Sequence, residues 1–443
     1  MAPLRPSSDF FPRVLIYALL LAELLLFTWY RGTLGVYCSP VALYLTGVAA
    51  CVVSYFFFRH RPWPAAGAAS AAAGAGWARG LALLVAAGVG MAISTGRMQG
   101  FVRDYSINIS YSDVIPALRI FVTRWLVGTE VYVPLTWEMG YLDMPTYLPA
   151  TWFPFVAAER LGLDYRYWAW LLFLVLAGGS YLLVLWRLRR PWAATLVLAL
   201  VPFMAVFCMQ RTDSASFGYT VETMIVGYYS LLVAGILLRS WPLQLVALVA
   251  CLLSRFSLVF WVPLFMGLLF FQDSKRRAVW LAGGVALGVL ALYIVPFLSH
   301  DWSMFMQVQD SYTNAALGEW QHVNEAGLPV HLYNGVGLAP FFYEHGTGPV
   351  LGKLLLIKKV HLLASVGVVA AAALLYWRQR GRRMDYRLYA ILALKFYLAT
   401  FYALVQVPYT YLAMVSVFLS VFIVLMVAGA PANENSEAAA KLQ

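Results

Sequence analysis

Apolar residues arrive in this chain in blocks, most of them roughly 18 residues or longer, the length needed to cross a hydrocarbon core about 30 Å thick. The blocks fall at roughly 12–30, 40–58, 80–96, 167–186, 192–209, 219–238, 242–254, 257–271, 278–297, 355–377, 386–404 and 408–428. Composition excludes core helices of a large soluble protein as the alternative. Hydrophobic residues make up 62% and charged residues 12%, against roughly 45–50% and about 25% in soluble domains. Too little charge remains to coat the surface. The expected fold is an all-α integral membrane protein of about 12 transmembrane helices.

The net charge of +11 suggests nucleic acid in a soluble protein. Here the basic residues sit in short loops: Arg59 and Arg61, Arg187–Arg189–Arg190, Arg239, Lys275–Arg276–Arg277, and Arg378–Arg380–Arg382–Arg383. If each block crosses once they share one side, which is the cytoplasmic side. Nucleic acid is therefore not an expected partner, and membrane lipids are. The cysteines Cys38, Cys51, Cys208 and Cys251 lack metal-ligand spacing and read as small apolar side chains. No cleavage site follows the first block, which is expected to stay as a helix.

The apolar stretch 242–271 has basic residues at both ends. A single span would place Arg239 and Lys275 on opposite faces. Two short spans turning at Leu253-Ser254-Arg255-Phe256 keep both on the cytoplasmic face and carry Arg255 to the outer surface.

The other side carries two long loops, roughly 97–166 and 298–354, which hold most of the acidic residues and many Tyr, Trp and Pro. Loops of this length are functional or disordered, and these are too aromatic for disorder. Val114, Leu118, Phe121 and Trp125 recur at helical spacing with Arg119 and Arg124 between them, and predict an interfacial helix. Trp302, Phe305 and Met306 open a similar stretch. The division expected is two N-terminal spans (1–79), a core (80–300) with the first outer loop, a second loop with C-terminal spans (301–430), and a loose cytoplasmic tail (431–443).

The first loop reads Tyr111-Ser112-Asp113-Val114-Ile115-Pro116, then Gly128-Thr129-Glu130-Val131-Tyr132, then Met144-Pro145-Thr146-Tyr147-Leu148-Pro149, then Trp152-Phe153-Pro154. This layout resembles the GT-C superfamily of membrane glycosyltransferases, in particular its bacterial polyprenyl-phosphate-mannose-type branch. There an acidic residue follows an outward-going helix and precedes an interfacial helix, a Gly-x-x-x-Tyr element and a proline-rich segment. The resemblance covers mainly residues 80–300. Two features depart from it: two spans precede the outward-going helix, and Asp113 has serine and valine for neighbours instead of a second acid.

The resemblance implies transfer of a sugar from a polyprenyl-phosphate donor to a lipid or glycan acceptor, with inversion, on the outer face of the plasma membrane. Asp113 would be the general base, or would cap the interfacial helix through its carboxylate. Asp104 is the fallback base, and otherwise a solvated charge. Arg255 would grip the donor phosphate, since a guanidinium fork matches phosphate oxygens, or would snorkel to lipid headgroups. Arg211 is the second phosphate candidate, with an ion pair to Asp213 as the plainer reading. Among His300, His322, His331 and His345, His322 has the most site-like company in Glu319 and Glu325. Glu222 lies near the outer end of its block and is placed to line the same cavity, while Glu23 and Lys395 lie deeper. Tyr132, Tyr147 and Trp152 would line the sugar site. No metal, cofactor or nucleotide is expected. The rival from another class is a multi-spanning transporter or lipid flippase using Glu23 and Lys395, although no internal repeat is visible.

Overall fold

The computed structural model describes residues 9–61, 63–64, 76–141, 144–378 and 384–431. Asp143, Arg380, Arg382, Arg383 and all of the tail from 432 onward lie outside the described residues. Among the described residues the chain is helical throughout, relieved only by an isolated bridge between Val323 and Pro329.

The longer helices are numbered in chain order: α1 (Phe10–Phe27), α2 (Gly35–Phe58), α3 (Gly76–Asp104) and α4 (Val114–Val127), then α5 (Tyr165–Arg187), α6 (Trp192–Thr212) and α7 (Glu222–Leu237). They continue as α8 (Trp241–Leu252), α9 (Trp261–Gln272), α10 (Lys275–Leu298), α11 (Ser303–Gln321), α12 (Val350–Arg378), α13 (Tyr386–Ala403) and α14 (Thr410–Gly429). Eight of these, α1, α2, α3, α5, α6, α10, α12 and α14, are long and apolar enough to cross a membrane. The protein is thus a multi-pass membrane protein. Every apolar block of the sequence falls on a helix, the remaining four being α7, α8, α9 and α13.

Helix boundaries follow local chemistry. Asp164, Ser274 and Asp385 cap α5, α10 and α13 by accepting from Arg166 N, Arg277 N and Arg387 N at 2.8, 3.3 and 2.9 Å. Gly128 ends α4 at φ +74°, a left-handed turn that a side chain would strain. Burial sorts the bundle radially. All of α7 is buried and the apolar window of α14 is 83% buried, whereas that of α10 is 17% and that of α12 is 11%. So α7 and α14 form the axis, and α10 and α12 face outward where apolar side chains meet lipid.

Arg13, Arg79, Arg239, Arg277 and Arg387 gather at one end of the bundle, where three of them serve helix C-termini. Arg13 Nη1 donates to Val427 O at 2.7 Å, Arg79 Nη2 to Trp186 O at 2.7 Å, and Arg387 Nη1 to Leu237 O at 3.3 Å. Carbonyls left without intrahelical partners, at the negative end of the helix dipole, suit a guanidinium. Arg239 pairs with Asp273, and Arg277 binds both Asp273 at 2.9 Å and the Arg239 carbonyl. Both ends of the 240–272 stretch are therefore tied at the basic end. Between them α8 runs out, the chain turns at Leu253–Arg255, and α9 returns.

At the opposite end the first loop folds as α4 with short helices at Thr136–Met139, Pro149–Trp152 and Phe155–Arg160. Ile115, Leu118, Phe121 and Val122 of α4 are buried. Arg124 holds the loop by donating to the carbonyls of Val131, Val133 and Pro134 at 3.2, 2.8 and 2.9 Å and pairing with Glu138 at 2.7 Å. The second loop forms α11, which Lys358 of α12 ties down by donating to Thr313 Oγ1 at 2.6 Å.

Candidate functional site

The turn between α8 and α9 is fixed from above and below. Ala150 N donates to Leu253 O at 2.8 Å and Thr151 Oγ1 to Ser254 O at 2.9 Å, which docks the Pro149–Trp152 helix onto the turn. Beneath it, the Tyr229 hydroxyl and Ser257 Oγ are 2.8 Å apart, and the Tyr402 hydroxyl donates to Ser257 at 3.1 Å. Arg255 is held between them in extended backbone at φ −155°, ψ 147°.

Its guanidinium reaches Glu222, the first residue of α7, where a carboxylate meets the positive end of the helix dipole. The pair is only half satisfied. Arg255 Nη1 and Glu222 Oε1 are buried with no hydrogen-bond partner among the described residues. The guanidinium carbon lies 6.0 Å from the Tyr411 ring centroid, and Tyr312 and Tyr402 face the same charge. A buried donor without an acceptor costs roughly 1–3 kcal/mol, so a ligand oxygen arriving there would be stabilised.

Asp113 precedes α4 but makes no side-chain cap; Ser112 Oγ takes that place, accepting from Val114 N at 3.4 Å. The carboxylate is left for other partners. It accepts from the Tyr141 hydroxyl at 3.4 Å and lies in the field of Tyr409 and Tyr411. The residue is exposed to solvent. Burial raises its pKa above the ordinary carboxylate value; the backbone and Tyr141 pull the other way, and Glu319 adds to the rise. Tyr411 thus lies 6.0 Å from the Arg255 guanidinium and also feels the charge of Asp113.

Glu319 comes from the last turn of α11. His331 Nδ1 donates to its Oε2, and the Tyr409 hydroxyl donates to it as well. The hydrogen bond from His331 holds Glu319 below its usual range, and the same bond raises His331. The sequence favoured His322 for this company, but His322 is the exposed residue that ends α11. The chain reverses through Asn324 and Gly327, pairs Val323 with Pro329, and delivers His331 instead.

The other candidates lie elsewhere or serve the fold. Asp104 ends α3 in solvent, paired with its neighbour Arg103 at 2.9 Å. Arg211 is exposed, and its expected partner Asp213 pairs with Arg31 at 2.9 Å while capping the Ser214–Tyr219 helix. Trp152 is 0% exposed; its Nε1 donates to the Tyr132 hydroxyl at 3.1 Å, which donates to Tyr147 O at 2.8 Å. In this conformation Trp152 offers no face to a ligand. Tyr147 is half-buried against Phe121. Tyr132 is buried beneath Phe121 and Phe297, and also lines an open crevice beside Phe256.

Glu23 and Lys395 find each other. Lys395 Nζ donates to both Glu23 oxygens at 2.7 and 2.9 Å and to Ser416 O at 3.0 Å, and Ser420 Oγ donates to Glu23 at 2.5 Å. Among the described residues no three His, Cys, Asp or Glu side chains converge as a metal site. The sequence reading missed Tyr312, Tyr402, Tyr409 and Tyr411, because tyrosines at span ends are ordinary interfacial residues.

No protein-family model, no curated protein and no solved structure matches this chain.

Proposed function

We propose that the protein is a membrane glycosyltransferase of GT-C type, crossing the plasma membrane 12 times with the basic end in the cytoplasm and the site on the outer face. It would transfer a sugar from a polyprenyl-phosphate donor to a lipid or glycan acceptor. One observation carries the reading: the buried, unpartnered Nη1 of Arg255 and the solvent-exposed carboxylate of Asp113 both act on one tyrosine, Tyr411. A cation short of an acceptor suits the leaving phosphate, and a carboxylate of raised pKa suits a base.

In the step proposed, Asp113 takes the proton from the acceptor hydroxyl as that oxygen attacks the anomeric carbon. The bond from that carbon to the phosphate oxygen breaks, and the phosphate leaves with the electron pair. Arg255 receives the developing charge, and Glu222 keeps the guanidinium oriented. The transporter rival drew on Glu23 and Lys395, which satisfy one another.

The test incubates protein in nanodiscs with radiolabelled polyprenyl-phosphate hexose and a pool of membrane lipids and glycans. Transfer by the wild type and not by Asp113→Asn supports the assignment. Equal transfer by both moves the base elsewhere, to Asp104 first. No transfer, together with substrate-dependent flux into liposomes, replaces the enzyme by the transporter.

A further inference from the structure

The crevice beside Phe256 has a chemistry opposite to that of the Arg255 pocket. Its walls are Tyr132, Leu148, Phe256, Tyr293, Phe297 and Phe305, with further apolar side chains behind them. Among the described residues its charged lining groups are Glu130 and Asp301. Among them no lysine, arginine or histidine lines it to neutralise a phosphate.

Geometry separates the two places while keeping them adjacent. Arg255, the extended residue before the short helical turn Phe256–Leu258, turns to Glu222 and Tyr411, and Phe256 forms the crevice wall. The far wall comes from the end of α10, where Leu290, Leu292 and Val295 are exposed on the outward, apolar side. Residues Leu290–Leu298 take the wider π-helical spacing around Pro296, which supplies no N–H, and Tyr293 and Phe297 turn inward from this stretch. The crevice is thus reached along the apolar flank of the bundle. Including its mouth it measures about 440 Å³.

We propose that this crevice is the subsite for the acceptor, and that it selects a lipid whose headgroup is uncharged and bears hydroxyls. The inference rests on the glycosyltransferase reading. Apolar walls take the chain, while the carboxylates of Glu130 and Asp301 accept hydrogen bonds from sugar or glycerol hydroxyls. Asp301 is fixed for this, since its Oδ1 already accepts from Ser303 N and Oγ at 2.8 and 2.6 Å. Those bonds lower its pKa and keep it ionised. An anionic headgroup would meet two like charges and no counter-charge. Donor phosphate and the anchored part of the acceptor headgroup would then lie on the two sides of one dipeptide, Arg255-Phe256, with the attacking hydroxyl reaching past it to Asp113.

The test uses the full chain in nanodiscs made with equal amounts of monoglucosyl diacylglycerol and phosphatidylglycerol of matched acyl chains, reading retained lipid by native mass spectrometry. Wild type is expected to enrich the glycolipid by roughly two- to fivefold, the equivalent of one partly screened charge interaction. Glu130→Lys, at an exposed position, should reverse the preference toward phosphatidylglycerol. Arg255→Gln, which removes the phosphate contact on the other side of the turn, should lower retention of phosphatidylglycerol while the glycolipid is still retained. Equal retention by wild type, or a preference untouched by Glu130→Lys, overturns the proposal. Sugar transfer without headgroup preference sinks the acceptor subsite alone. Headgroup preference without transfer sinks the enzyme reading and with it the role of acceptor.

Discussion

Replacing Lys395 by methionine keeps the length of the side chain and removes its charge, which isolates Glu23 inside the bundle. The Lys395 side chain is 0% exposed and that of Glu23 3% exposed. After the substitution only Ser420 Oγ would still donate to the Glu23 carboxylate. Breaking a buried pair on one side costs about 3–5 kcal/mol, because the remaining charge is desolvated without compensation. The double change Glu23→Leu with Lys395→Met removes both charges, and replacing a whole buried pair is often neutral or stabilising. A double-mutant cycle therefore predicts a coupling of at least about 2 kcal/mol, at the upper end of what contacting residues show. Reversible unfolding in mixed micelles measures it. Gly47 supplies an independent check, because a Cβ there would lie 2.7 Å from Glu23 Oε1; Gly47→Ala should destabilise the wild type and be tolerated when Glu23 is leucine. The same variants bear on function, since a structural pair can be exchanged for apolar residues without loss of transfer. Singles that cost under about 1 kcal/mol, or a double variant that folds well but is inactive, would refute the reasoning.

The remaining predictions concern the loop end. Asp113→Asn should abolish transfer. In the wild type the acidic limb of kcat/KM should lie above the ordinary carboxylate value, because the base must be ionised and its pKa is raised; a limb at or below that value refutes it. Arg255→Gln leaves Glu222 buried without a counter-charge and should cost transfer by tenfold or more (~1.4 kcal/mol or above), while Arg255→Lys recovers only part because one ammonium cannot serve both sides of the fork. The Glu319–His331 bond should order the second loop most strongly in mildly acidic solution. Its histidine contribution is full below about 6.5 and is lost as pH rises through the raised His331 value, whereas its Glu319 contribution is present above about 4.3 and is lost as pH falls through the lowered value. Hydrogen exchange of 303–333 across pH reads this, and His331→Gln should flatten the profile.

The sequence made the helices legible because apolar length and basic loops are local signals. Arg239 and Lys275 at the two ends of one stretch were enough to place the turn near Leu253–Arg255, where α8 gives way to α9. The site was legible only in pieces. Glu222 and Arg255 were each marked as costly charges near a span end, but their pairing joins residues 33 apart through the packing of three helices. Lys395 and Glu23 are 372 residues apart, and no local pattern links them. His331 had a usable signal that the reading passed over: Asn324 and Gly327 are turn formers, and a reversal there returns the chain to Glu319. Tyr132 and Trp152 show a different limit. An aromatic in a proline-rich loop reads the same whether it stacks on a ligand or, as here, on Phe121 and Phe297.

Helix length explains how this turn comes to carry a half-satisfied charge. At 1.5 Å per residue a helix of α8's or α9's length rises about 18 Å, well short of a hydrocarbon core of about 30 Å. Starting from the basic end, where Arg239 and Asp273 are tied, the turn falls short of the level at which full-length spans emerge. The space above it is filled by the Pro149–Trp152 helix, whose Ala150 and Thr151 bond to Leu253 and Ser254. Arg255 therefore sits in a recess floored by a truncated hairpin, roofed by the first loop and ringed by tyrosines from α11, α13 and α14. A guanidinium at full span height would be more hydrated; here Arg255 is only partly exposed, and Glu222 and Tyr402 together still leave its Nη1 without a partner. Shortening two helices and folding a loop over them is how this chain places an arginine where an anionic group at headgroup depth can reach it and bulk water is held back.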